Sequence, residues 1–190
     1  MQNQGSSTKE RISKAIKDLT GRKSFHKITI NDIASECGMT RENFYYHFRD
    51  KYDILNWIFL KEVAEPIAPT GDFIMWMEEL ILCVSAGRGF YVRVLHDEGR
   101  EVLKAVFYPV MEEKIRETVR ISLEPPSAKS REKEDLVTSF FTDAFIDLLF
   151  RQVIEKEITD AGRFDDNFEF LICNFLPFVR NQKENKLVKG

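Results

Sequence analysis

The chain has 190 residues, 43% hydrophobic and 31% charged, enough to bury a real core in one compact two-part unit. Twenty-eight basic and 31 acidic side chains leave a formal charge of −3, which by itself argues against indiscriminate nucleic-acid binding. No apolar run approaches the roughly 18 to 20 residues of a membrane span, and the polar start lacks the basic-then-apolar order of a secretory signal. Three scattered cysteines, Cys37, Cys83 and Cys173, suit neither a disulfide framework nor a metal site, so the expected compartment is the reducing cytoplasm. Sixteen Phe against nine Gly and six Pro favour helices over many short strands. An all-α chain is expected.

In chain order, Ile12, Ala15, Ile16 and Leu19 recur at helical spacing behind a cap at Ser7 or Thr8, and Gly21 lies near the end of that helix. After the polar link Arg22-Lys23-Ser24, Thr29 followed three residues later by Asp32 marks a second helix start. Gly38 stands where that short helix must end, in the left-handed conformation that suits glycine. A third helix runs from about Thr40 to His47 with Thr40 as cap. Asp50 caps a fourth that carries Ile54, Leu55, Ile58 and Phe59. Pro66 and Pro69 then mark a seam. Beyond it the pattern predicts helices at about 71–86, 88–97, 100–123, 134–159 and 165–182, the third kinked at Pro109. The stretch from Glu124 through Pro125 and Pro126 to Arg131 reads as a loop.

Two short helices joined by a Gly-containing turn are the helix-turn-helix unit. Ala34 is small where the helices approach, and Ile33, Cys37, Met39 and Phe44 supply the apolar contacts that set their crossing. Thr29, Ile33, Ala34, Gly38, Met39, Thr40, Phe44-Tyr45-Tyr46-His47-Phe48, Lys51, Ile54 and Leu55 together closely resemble the signature of the TetR family of transcriptional regulators, over about residues 9 to 60. Thr-Arg-Glu-Asn-Phe-Tyr-Tyr-His-Phe followed by Asp-Lys-Tyr-Asp-Ile-Leu is similar to the subgroup containing activators of dihydroxyacetone kinase genes.

The resemblance implies a three-helix DNA-binding headpiece over residues 1–50, a connecting helix at about 50–65, and a larger helical ligand-binding and dimerisation domain over 51–190. Residues Thr40 to His47 become the recognition helix in the major groove. Arg41 and Asn43 are the side chains able to make bidentate pairs with guanine and adenine. Tyr45, Tyr46 and His47 are expected to hold phosphate oxygens, as are Thr29 and Lys51 at helix N-termini, with Lys27 more remote. Glu42 stands where the family often has Gly. A carboxylate there repels phosphate, accepts from cytosine N4, or pairs with Arg41. Residues 1–51 hold ten basic against six acidic side chains (+4) and the remainder 18 against 25 (−7), the footprint of a protein that meets DNA at one end.

Trp76, Tyr91, His96, Tyr108 and Phe141 are the candidates for an effector cavity, most having a polar tip beside apolar area. Plain core packing competes for each, and a solvated loop position competes for His96. Apolar stripes through Phe140, Phe145 and Leu148, and through Phe168, Leu171, Ile172, Phe175 and Val179, exceed what one body needs. Each is expected to pair with its copy across a two-fold axis. The implied partners are a double-stranded operator, a second copy of the chain, and a small effector or co-regulator protein; no membrane, cofactor or metal is implied. An effector tilting the headpiece through the connecting helix is the implied switch. No Gly-rich phosphate loop, nucleophile elbow or metal-spaced His/Cys set suggests an enzyme.

Overall fold

The computed structural model describes residues 7–67, 72–122, 128–155 and 170, and among them the chain is helical with no strand. The helices are α1 (Thr8–Thr20), α2 (Ile30–Glu36), α3 (Arg41–His47), α4 (Lys51–Phe59), α5 (Phe73–Ala86), α6 (Arg88–Glu98), α7 (Arg100–Ser122) and α8 (Ala128–Leu149). A 3-10 turn at Phe25–Lys27 precedes α2, and π-type turns continue α4 over Leu60–Ala64 and α8 over Phe150–Glu155. None of the described helices is long and apolar enough to cross a membrane.

The described residues group into two compact units. The first draws on Met1–Glu65 and Gly87–Val106, the second on Pro66–Ala86 and the chain from Phe107 onward. The headpiece unit therefore includes α6 and the first turns of α7.

Side-chain caps set most starts within the first unit. Ser7 and Glu10 form a reciprocal capping box on α1, and Thr29 and Asp32 form another on α2. Thr40 Oγ1 accepts from Asn43 N–H at 3.2 Å, and Asp50 Oδ1 accepts from the amides of Tyr52 and Asp53, both at 2.8 Å. Gly38 has φ +63°, so Met39 N–H turns back to Ala34 O at 2.9 Å and the chain reverses between α2 and α3. Ile12, Ile16, Phe25, Ile33, Phe44, Ile54 and Leu55 are completely buried and form the core on which these short helices rest. Cys37 belongs to that core; burial pushes its thiol up, and Arg11 Nη2 donates to its carbonyl at 2.7 Å.

In the second unit, Phe73 of α5 packs against Phe145 of α8 with ring centroids 5.3 Å apart, and Phe107 meets Phe150 edge-on at 5.3 Å. Arg116 bonds to Glu112 at 2.8 Å and Asp135 at 2.5 Å, while Arg120 bonds to Glu134 at 2.6 Å, so ion pairs tie α7 to α8. Helix α8 begins at Ala128, inside the stretch read as loop, which changes one expectation; α7 carries Pro109 within it. The expected helix at 165–182 lies outside the described residues except for residue 170.

Candidate nucleic-acid interface

Helix α3 rests on the core by Phe44, fully buried, with Phe48 just beyond it at 3% exposure. That anchoring turns Arg41, Glu42, Asn43, Tyr45 and Tyr46 outward. Tyr46 is 86% exposed, its ring standing edge-on to His47 at 5.1 Å. Five predicted DNA-facing side chains therefore share one short exposed helix, with His47 half-buried at its end. Arg49, which sequence reasoning passed over, follows directly with its side chain 87% exposed and only a 3.5 Å contact to Asp53. It follows the motif's last aromatic, so pattern alone gives it no periodic place.

The backbone amide of Glu42, then the Thr40 hydroxyl, hold its carboxyl below the usual range, and Arg41 adds less. The carboxylate is folded onto the N-terminus of α3, where helix amides favour negative charge. Arg41 engages Tyr45 instead: Nη2 donates to Tyr45 Oη at 3.1 Å.

Two predicted phosphate ligands are differently occupied. Thr29 Oγ1 accepts from Asp32 N–H and donates to Asp32 Oδ2 at 2.6 Å, so the capping box uses its hydroxyl in both directions. The N-terminus of α2 already holds an anion, the Asp32 carboxylate. Hydrogen bonds from Lys23 and then Thr29 keep it well below the usual carboxylate range. Lys51 opens α4 as expected, but its ammonium turns inward. It donates to Phe25 O at 2.9 Å, His26 O at 3.1 Å and Glu98 Oε1 at 3.1 Å, with the two charged side chains 13% and 9% exposed.

Glu98 also accepts from Tyr52 Oη at 2.9 Å; burial first, and then this bond, push the Tyr52 phenol up. Asp97 accepts from Phe25 N–H at 2.6 Å. Burial alone would raise that carboxyl, but the bonds from Phe25, His96 and Ser24 hold it below its ordinary value. The end of α6 thus clasps the turn and helix that flank the helix-turn-helix.

Residues 12–58 match the family model described as bacterial regulatory proteins, tetR family. Those residues make a domain of the tetR-family type. The sequence is 36% identical over 75 residues to the HTH-type dhaKLM operon transcriptional activator DhaS of Lactococcus lactis, a match covering 40% of each chain. It is 47% identical over 47 residues to the HTH-type transcriptional regulator YerO of Bacillus subtilis, covering 25% of this chain and 16% of that one. The chain therefore matches less than half the length of either relative. A solved structure of a dihydroxyacetone kinase operon activator, DhaS, is similar with a TM-score of 0.61 at 19% identity, over 87% of this chain and 94% of that one. That likeness shows that the all-α fold of that activator extends over the headpiece and the helices beyond it.

The effector candidates divide between the units. Tyr91 is buried and His96 exposed in the first, the imidazole 3.3 Å from Asp97. Trp76, buried against Phe73, and half-buried Tyr108 and Phe141 belong to the second. Among the predicted dimer residues, Phe140 is 65% exposed and Leu148 half-buried, but Phe145 is 6% exposed, packed by Phe73 and Phe141. Phe145 is a core residue of its own unit. Leu136, one turn before Phe140 and 69% exposed, is an apolar surface residue of α8 that sequence reasoning missed. Phe168, Leu171, Ile172, Phe175 and Val179 lie outside the described residues.

Proposed function

We propose that the protein is a homodimeric transcriptional regulator that reads an inverted-repeat operator. Helix α3 would enter the major groove, with Arg41 and Asn43 on base edges and Tyr45, Tyr46, His47 and Arg49 on phosphates. The observation that carries this is α3 itself: a seven-residue helix pinned by fully buried Phe44, presenting a guanidinium, a carboxamide and two phenols to solvent. Leu136 and Phe140, exposed one turn apart on α8, support pairing with a second copy; a dimer would offer two recognition helices to successive major grooves, about 34 Å apart.

Control of DNA affinity by an effector in the C-terminal region is part of this proposal, as is a cytoplasmic location. The likeness to operon activators favours activation, and with it a second reading in which a co-regulator protein replaces the small effector. Selection of bound DNA from a random pool tests the central claim. An enriched inverted repeat with half-sites about one helical turn apart supports it; no enrichment overturns it. Pull-down beside a ligand thermal-shift screen separates the two modes of control.

A further inference from the structure

Arg41 already has a definite position before any DNA arrives. Its Nη2 donates to Tyr45 Oη at 3.1 Å, and its guanidinium carbon lies 5.5 Å from the centroid of the Tyr45 ring. The two residues are four apart on α3, the spacing at which side chains of one helical face meet. The Tyr45 ring is itself fixed, standing edge-on to Phe44 at 5.5 Å with an interplanar angle of 84°. Phe44 has no exposure at all. A sequence of contacts therefore runs from the core, through Phe44 and Tyr45, to the guanidinium expected to read a base.

We infer that Tyr45 is a positioning residue for base readout: through its hydroxyl and ring face it holds Arg41 in the orientation that discriminates between bases. This rests on the DNA-binding reading above. One guanidinium N–H is committed to Tyr45, and the fork retains further donors for a bidentate contact. A guanidinium held in this way loses less freedom on docking than one waving in solvent. The Tyr45 hydroxyl accepts from Arg41 and keeps its own proton, which it can donate to a phosphate oxygen. A single phenol then ties the register of the helix on the backbone to the aim of its base-reading side chain. Glu42 does not compete, because its carboxylate is taken by its own amide and Thr40. The plain alternative is an ordinary surface pair plus a phosphate clamp, and it makes a different prediction.

The test uses the full chain, DNA selected by it from a random pool, and a set of half-sites substituted one position at a time. The base read by Arg41 is the position at which Arg41→Ala lowers discrimination most. Tyr45→Phe keeps the ring and removes the hydroxyl, at a site 46% exposed, so folding is retained and is checked by circular dichroism. The inference expects Tyr45→Phe to reduce discrimination at that one position about two- to tenfold, the size of a coupling between touching side chains. It also expects no further loss of discrimination when Tyr45→Phe is added to Arg41→Ala. Equal weakening on every sequence would show a phosphate clamp only and overturn the inference while leaving the function intact. An undiminished effect in the Arg41→Ala background would overturn it too. If the wild-type chain enriches no sequence, the DNA-binding reading fails and takes the inference with it.

Discussion

Replacing Lys51 by Met probes whether this lysine is a structural clasp or a phosphate ligand. Methionine keeps an unbranched stem of similar length beside the Phe25 ring, over which the ammonium lies at 4.8 Å, and removes only the charge. Three acceptors lose their donor: the carbonyls of Phe25 and His26, and Glu98 Oε1. The Glu98 carboxylate, 9% exposed, keeps the Tyr52 hydroxyl and has His26 Nδ1 at 3.5 Å, so its charge is only partly satisfied. Breaking a fully buried ion pair from one side costs about 3–5 kcal/mol. With Tyr52 still donating and Lys51 at 13% exposure, about 2–3 kcal/mol is expected here. Trp57 reports on this unit and Trp76 on the other, and the chain has two tryptophans. Urea unfolding of the headpiece is therefore followed by Trp57 fluorescence in a Trp76→Phe background. The double variant Lys51→Met/Glu98→Gln should lose less than the sum of the single losses, because the neutral amide that replaces the Glu98 carboxylate no longer strands a charge. A loss below about 0.5 kcal/mol, or strict additivity, refutes the clasp. A phosphate ligand would instead leave stability unchanged and reduce the salt slope of operator binding by about one.

Asp32 yields a pH prediction. Its folded carboxyl titrates well below the unfolded value, so its capping contribution is complete above about pH 4 and lost as pH falls below that. The difference in unfolding midpoint between wild type and Asp32→Ala should narrow from about pH 4 downward, and a constant gap would contradict it. Gly38→Ala should cost about 1 kcal/mol from the left-handed backbone alone, because nothing lies within 4 Å of an added Cβ; Gly38→Asn should cost less. A loss above about 2 kcal/mol in urea unfolding would mean that the site is crowded. Phe140→Glu should leave the helical circular dichroism intact but yield monomers in sedimentation equilibrium, with weakened operator binding. A variant that remains dimeric places the interface elsewhere.

The parts of the fold legible in the sequence are those whose physics closes within a few residues. A capping box spans three positions, so Ser7 with Glu10 and Thr29 with Asp32 can be read directly, as can the caps at Thr40 and Asp50. The left-handed φ of Gly38 is equally local. Helix α8 starts earlier than the pattern predicts because Pro125 and Pro126 lend a loop character to the residues after them. A proline restricts the residue before it, and helix can begin soon afterwards, as it does at Ala128. Phe25 leaves no signal: a single buried aromatic in a polar link has no period, yet it is fully buried and its turn is where Asp97 and Lys51 converge.

What the sequence hides is pairing at a distance. Lys51 and Glu98 are 47 positions apart, and a lysine opening a helix looks the same whether phosphate or carboxylate meets it. The division of charge survives this correction for a physical reason. With Gly87–Val106 assigned to the headpiece unit, that unit carries 15 basic against 12 acidic side chains, +3, and the remainder 13 against 19, −6. Segment 87–106 brings Asp97, Glu98 and Glu101 to the headpiece but also Arg88, Arg93, Arg100 and Lys104, so it builds a clasp without reversing the sign. Net charge alone nevertheless overstates the cations available to DNA. Lys17 is paired with Glu62, Arg22 with Glu36, Lys23 with Asp32 and Lys51 with Glu98. Exposed Arg49 and Lys27, together with Arg41 on its tyrosine, are better placed to meet phosphate and base; Arg41 lies on α3, Arg49 follows it, and Lys27 precedes α2.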